Sequence, residues 1–487
     1  MRKDTLSMFF IFLVIMFLVL ISGTGLNGYE LSSVALFFFI LLKFIFDLGT
    51  QISMRNILCL LMVLQWLLGP VLGYMYDTNI TESYQMKVSQ SIYFGYVLPA
   101  VLAFMAGLYV KLSKTYYKPN FSSNVDYYQK GTIMIILGFV FEYLPGLGFL
   151  GYLLAGLKYV GAFYMVLSPN KKRYYWLILV FTYLFVIRSL GSGMFHELLL
   201  WSCFLMMLIF YFNRKSFMFR FGVIFSGFFF VFIVQLVKPD YRAQLGTYSE
   251  DSKSILFLNL VSTKLFGDQP LFSNEVIGSN IVRLNQGWII SNVMDYIPAH
   301  RPYANGQTIS DALIASIFPR FVFPNKPIAG GKANMENYAG ITLNESTSMD
   351  ISQVGEAYAN FGVAGGITMM LILGLFFNMV ISFIEKKCRK YPELILWLPL
   401  IFLQVIKAET SLVTVLNHLV KASLIAWFFF SRYGDQLLNY RFERWKFGVR
   451  TFKLSSASMS PKGLRRRRGF EEKKRYPVFE DKVKKKL

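Results

Sequence analysis

Residues 354–377 read "VGEAYANFGVAGGITMMLILGLFF". A carboxylate (Glu356), a phenol (Tyr358) and an amide (Asn360) fall within five residues, and an apolar run long enough to enter a bilayer follows at once. The pattern predicts one helix from Ile351 to Ile384, 34 residues or about 51 Å at ~1.5 Å per residue. That exceeds a hydrocarbon core of about 30 Å, so the first turns must project above it or tilt. Phe361 onward is almost wholly apolar. Glu356 then stands about 7 Å higher on the axis, at the rim of the bilayer. Asp350, with Gln353 three residues on, reads as a variant capping box. Gln353, Glu356 and Asn360 share one helix face, and Gly355, Gly362, Gly365 and Gly366 let a second backbone or a lipid come close. Two readings stand: a capped, solvated helix end, or polar groups facing a reaction.

The rest of the chain has the same character. It has 487 residues, 55% of them hydrophobic, and a mean hydropathy of +0.45. Runs of bilayer length recur throughout. The fold class expected is all-α, a polytopic membrane protein with about twelve spans. They lie near 8–24, 31–46, 56–75, 91–110, 130–144, 147–167, 174–190, 195–212, 219–238, 355–384, 393–408 and 411–431. The first lacks a clear cleavage site and reads as an uncleaved span. Lys and Arg crowd alternate short gaps, among them Arg55, Lys111, Lys171–Arg173, Arg214 and Lys386–Lys390, which the positive-inside rule makes cytoplasmic. The opposite gaps hold little beyond Lys87, Arg188 and Lys407. Both termini are then cytoplasmic. Cys59, Cys203 and Cys388 lie in or beside apolar runs without metal-ligand spacing, as packing or lipid-facing residues.

Four segments follow: spans 1–238, a large extracytoplasmic loop 239–354, spans 355–431 and a basic tail 432–487. The formal charge of +22 sits mostly in the inner gaps and the tail. The tail reads as disordered and suited to an anionic inner leaflet, not to nucleic acid. The loop nearly balances its charge, with eight Lys and Arg against ten Asp and Glu. A loop of this length is usually folded or functional. Helical stretches are expected near 251–266, 275–296 and 309–318, with turn punctuation at Pro298, Pro302, Asn305-Gly306 and Pro319 to Gly331. Arg242 follows the ninth span, Arg283 sits on an amphipathic helix, and Arg320 and Lys326 lie in the proline-bounded "PRFVFPNKP". Arginine's fixed fork suits phosphate oxygens. An ordinary surface arginine is the competing reading for each.

No Walker A sequence, Asp-x-Asp pair, His/Cys cluster or Gly-x-Ser-x-Gly elbow occurs. No metal or cofactor is expected, so chemistry here would rest on an activated substrate. Ionisable groups at membrane depth are functional candidates. They are His196-Glu197, Glu142, Lys158, and His418 with Lys421, and the first pair ranks highest.

"GEAYANFGVAGG" resembles the Gly-Glu-x-Tyr-x-Asn-Phe-Gly signature of Wzy-type O-antigen and capsule polysaccharide polymerases. "PRFVFPNKP" resembles their Pro-Arg-x-x-x-Pro-x-Lys-Pro loop segment, and "IRSLGSGMFHELLLW" (187–201) is similar to a third, with Arg188 ahead of Gly191-Ser192-Gly193 in place of an Arg-Gly pair. The resemblance implies a GT-C-like architecture in a bacterial cytoplasmic membrane and a metal-independent glycosyltransferase. It would join oligosaccharide units carried on undecaprenyl diphosphate, at the outer face. With the residues read above, the candidate catalytic residues are Glu356, His196, Tyr358 and Asn360, and the candidate substrate-binding residues Arg188, Arg242, Arg283, Arg320 and Lys326. The implied partners are the lipid-linked oligosaccharide, membrane lipids and a chain-length regulator. An O-antigen ligase-type transferase and a lipid-linked oligosaccharide flippase remain the alternatives. A flippase needs no such loop, and no internal repeat is clear.

Overall fold

The computed structural model describes residues 2–22, 25–76, 81–112, 121, 125–245, 250–267, 274–318, 331–344, 347 and 349–439. Among them there are helices and no strands. The chain runs as α1 (Arg2–Ile21), α2 (Gly28–Asp47), α3 (Met54–Met75), α4 (Gln90–Tyr109), α5 (Tyr127–Tyr143), α6 (Gly148–Leu167), α7 (Arg173–Leu190), α8 (His196–Phe212) and α9 (Phe217–Gln244). The intervening loop holds α10 (Glu250–Phe266), α11 (Asn274–Leu284), α12 (Gly287–Tyr296), α13 (Gln307–Ile317) and α14 (Lys332–Ala339). Then come α15 (Ser352–Lys387), α16 (Pro392–Phe402), α17 (Leu412–Phe429) and α18 (Arg432–Leu438).

Eight of these helices are long and apolar enough to cross a membrane: α2, α3, α4, α6, α7, α9, α15 and α17. Shorter apolar helices occupy 7–21, 196–212 and 392–402. The remaining expected span, α5, has 17 residues, carries Lys130 and Glu142, and stops just before Pro145. The three expected loop helices are present, but the second is split at Asn285-Gln286, and α14 was not foreseen. The basic tail begins with an ordered helix, α18, whose Asp435 pairs with Lys130 of α5 at 3.2 Å. Cys59 and Cys388 are buried packing residues and Cys203 is half-buried.

Local chemistry explains the helix ends. Asn27 caps α2 by accepting from the Glu30 N–H at 3.0 Å, and Glu30 returns the bond to the Asn27 N–H at 2.8 Å. At the other end of α2, the buried Arg220 guanidinium of α9 donates to the carbonyls of Ile45, Phe46 and Leu48 at 2.7, 3.0 and 2.7 Å. A cation there complements both the orphan carbonyls and the helix dipole.

The capping box expected at Asp350 is not formed. Ile351 is the N-cap and no side chain caps it, while Asp350 serves other partners. The single straight helix expected from Ile351 is also broken, because Gly362 has φ +66° and ψ −156°. A side chain there would be strained, and its Cβ would sit 3.0 Å from the Tyr303 hydroxyl. The break places 352–360 inside the protein, every residue buried, not on a lipid-facing rim. It also deprives the carbonyls of Ala359 and Asn360 of their helical donors. The loop fills the vacancy: the Ala304 and Asn305 N–H groups donate to them at 2.9 and 3.1 Å.

A second opening works alike. Residues Leu64–Leu68 of α3 are wound as a π-helix. The Gln65 carbonyl accepts from the Gln286 N–H at 3.1 Å, and the Trp66 carbonyl from the Tyr93 hydroxyl at 2.9 Å. The loop is thus bonded to the bundle through main-chain atoms at two places.

Candidate functional site

Charged side chains collect at both ends of the bundle, but differently. At the end holding the α2–α3 connection they form local ties. Arg55 pairs with Glu385 at 2.7 Å and donates to Asn378 and Ser382 at 3.2 and 3.0 Å. At the end that carries the large loop, the charges converge.

The convergence starts in α7, whose residues Leu184–Leu190 form a second π-helical segment. Such segments often mark functional sites because they re-aim side chains. Arg188, carried there, reaches Glu142 Oε1 at 3.6 Å and Glu197 Oε2 at 3.5 Å. The second oxygen of Glu142 pairs with Lys158 Nζ. Close approach of α5 and α6 brings these groups together. A Cβ at Gly131 would lie 2.9 Å from the Gly161 carbonyl oxygen, and one at Gly161 2.7 Å from that of Gly131. Lys158 is 1% exposed, with the rings of Phe139, Tyr159 and Tyr183 centred 5.6, 5.1 and 5.1 Å from its ammonium. The Tyr152 hydroxyl donates to Glu197 at 3.3 Å. Glu142, Tyr152, Lys158, Tyr159, Arg188 and Glu197 line a small cavity of about 20 Å³ that reaches His418.

The cluster continues toward the loop. His196 opens α8, exposed, within electrostatic reach of Lys407, Glu197, Lys238 and Arg188. Lys238 of α9 faces Arg283, Arg242 and Glu409. The Arg242 stem packs on Gly193, the last residue of the Gly-Ser-Gly turn. Arg283 donates to Gln235 Oε1 at 3.2 Å. Burial, then the facing Arg242 charge, push the Arg283 guanidinium below its ordinary value. Burial likewise lowers Lys407, against the opposing pull of Glu197 and Glu409. Six basic side chains (Lys158, Arg188, Lys238, Arg242, Arg283 and Lys407) therefore stand with three acidic ones, Glu142, Glu197 and Glu409. A cation excess partly withdrawn from water suits an anion, and its guanidinium forks suit phosphate oxygens.

The signature residues lie elsewhere. Glu356 is fully buried; its Oε2 accepts from the Leu412 N–H at 2.7 Å, Thr308 lies beside it, and its acidic neighbour is Asp350. Asn360 donates to Thr308 Oγ1 at 2.7 Å and to the Glu356 carbonyl at 2.8 Å, and accepts from the Gly306 N–H at 2.9 Å. Tyr358 is buried with its ring 5.1 Å from Tyr96 and 6.2 Å from Tyr303. So Arg188, Arg242, Arg283 and His196 share one basin, whereas Glu356, Tyr358 and Asn360 form a packed joint between loop and helix. Arg320 and Lys326 lie outside the described residues. His418 Nε2 meets the Leu400 carbonyl at 2.8 Å, and Lys421 lies 4.9 Å over the Phe149 ring. Among the described residues no group of three or more His, Cys, Asp or Glu could hold a metal ion.

Lys238, Lys407 and Glu409 were not singled out as site residues. The signal for the last two was present: they are the sole charges between Glu393 and Lys421.

Residues 64–392 match the family described as Domain of unknown function (DUF8712), well over half of the 487-residue chain. The chain belongs to that family. No curated protein and no solved structure matches it. The DUF8712 region starts at the π-turn of α3 and ends as α16 begins, so it contains Arg188, Arg242, Arg283 and Glu356 but not Lys407 or Glu409.

Proposed function

We propose that this protein is a glycan polymerase of the cytoplasmic membrane that extends a surface polysaccharide from units linked to undecaprenyl diphosphate. In this reading twelve helices span a bacterial membrane with both termini cytoplasmic, in a GT-C-like arrangement, and the loop end faces outward. The observation that carries it is the gathering of Arg188 and Lys407 beside Glu197, with Lys238, Arg242 and Arg283 facing one another next to Glu409, where apolar helices meet the loop. A diphosphate on a lipid is an anion delivered at that height, with its tail in the bilayer.

The hydroxyl of one lipid-linked unit attacks the anomeric carbon of the growing chain. The bond from that carbon to the diphosphate oxygen breaks, and undecaprenyl diphosphate departs with the electron pair. The guanidinium groups balance the charge gathering on the leaving oxygens. The hydroxyl proton passes to the His196–Glu197 pair, which is open to the basin, whereas Glu356 Oε2 is held by Leu412. A ladder of products from purified protein and lipid-linked repeat units supports this function. A single transfer to a different acceptor identifies a ligase, and no new glycosidic bond refutes a transferase.

A further inference from the structure

The nine residues 403–411 join α16 to α17 and carry Lys407 and Glu409. Both charged groups look into the basin: Lys407 toward His196 and Glu197, Glu409 toward Lys238. The peptides around them are pinned. The Trp66 indole N–H donates to the Ala408 carbonyl at 3.1 Å. The Thr410 hydroxyl is set against the carbonyls of Lys407 and Gln404, at 2.8 and 3.0 Å. Asp350 Oδ2 accepts from the Ser411 N–H at 3.2 Å and from its hydroxyl. Glu356 Oε2 accepts from the Leu412 N–H.

These last two carboxylates sit at the N-terminus of an 18-residue helix. Its first N–H groups lack helical acceptors, and its dipole favours negative charge. Both are buried, so neither is a solvated end group. Asp350 Oδ1 also accepts from Asn334 at 3.1 Å and from the Ile351 N–H at 2.9 Å, which ties in α14 and α15. Glu356 is held from behind by Asn360, which in turn holds Gly306 and Thr308.

We propose that Asp350 and Glu356 are positioning residues: they clamp the start of α17 and so hold Lys407 and Glu409 in the basin, linking the loop around Gly306 to the substrate site. The link to substrate rests on the function proposed above; the clamp itself does not. It explains a Glu and an Asn one turn apart without requiring Glu356 to touch a substrate.

Hydrogen exchange of the full-length protein in nanodiscs tests the clamp without any assay of activity. Glu356→Ala removes the acceptor, and the amides of 404–413 should exchange about tenfold faster or more. Glu356→Gln keeps an acceptor and should restore most of the protection, while the α4 and α15 membrane segments stay unchanged in both. If Glu356→Ala does not fold, Glu356→Asp, which draws the acceptor back by one methylene, should show the same local change. Unaltered protection at 404–413, or equal acceleration everywhere, overturns the clamp. Titration with inorganic diphosphate tests the link. Glu356→Ala and Lys407→Ala should each weaken binding about tenfold, and the double variant no more than either alone, because both remove one contribution. Multiplying losses overturn the link. If the unaltered protein binds no diphosphate, the proposed function fails, while the exchange result still decides the clamp.

Discussion

Replacing Glu142 by Gln should destabilise the protein far more than replacing its partner Lys158 by Met, although the two form one ion pair. The Lys158 side chain is 2% exposed, that of Glu142 11% and that of Arg188 42%. Glu142 serves two cations, one per oxygen. Without its charge, a buried ammonium faces a guanidinium with nothing between them. Breaking a buried pair in this way costs about 3–5 kcal/mol, or about 10²- to 4 × 10³-fold in the unfolding equilibrium. Lys158→Met instead leaves Glu142 with Arg188, a half-exposed partner. The thioether stays among the Phe139, Tyr159 and Tyr183 rings that surround the ammonium, a setting that suits sulfur. That change should cost about 1 kcal/mol or less, in the range of volume-conserving swaps. The double variant should resemble Lys158→Met alone, for a coupling of at least about 2 kcal/mol. Denaturant titration in mixed micelles, followed by tryptophan fluorescence, measures all three. Equal losses from the two single variants, or additive losses in the double, would refute the shared-carboxylate argument.

Three further outcomes are expected. Arg283→Lys keeps the charge but loses the fork, so it should weaken inorganic diphosphate binding nearly as much as Arg283→Ala; binding equal to the parent would remove bidentate phosphate contact from its role. Gly362→Ala forces a side chain to φ +66° against the Tyr303 hydroxyl and should cost about 1–3 kcal/mol in the same unfolding assay, whereas Gly355→Ala, where φ is not positive and a Cβ meets nothing closer than 3.5 Å, carries neither cost. Burial raises the Asp350 carboxyl above its ordinary value of 3.8. The folded state then holds that proton more tightly than the unfolded chain, so its contribution is complete below pH 3.8 and is lost as pH rises through the folded value. Asp350→Asn should remove this decline from a plot of melting temperature against pH, and an unchanged slope would show that the group titrates as it does unfolded.

The apolar runs made most of the helices legible, since bilayer-length hydrophobicity is a local property. Arg188, Arg242 and Arg283 are candidates on sequence grounds, and the structure gathers them in one basin. The surroundings of Glu356 are not legible in the sequence. Its environment is set by Leu412 and Asp350, and the first is 56 residues away. The break at Gly362 hides inside an apolar stretch that periodicity reads as one helix, because a glycine's φ leaves no trace in hydropathy. In the sequence Lys407 and Glu409 are two charges between apolar runs; only the fold sets them beside His196, Glu197 and Lys238. Arg188 and Lys407, two of the few basic residues in the gaps opposite the positive ones, are both basin residues.

The loop's two main-chain attachments, at the π-turn carbonyl of Gln65 and at the broken helix around Gly362, ask only for an N–H at the right height. The stretch between them asks for more: Trp288, Ile289, Ile290, Val293, Met294 and Ile297 are buried in the core. Chimaeras that exchange the residues between Gln286 and Ala304 should therefore assemble only where those apolar positions are kept, while Asp295 and the exposed residues 298–302 can change. The bundle and the inner face of that stretch act as one chassis, and only its outer face is a replaceable cassette.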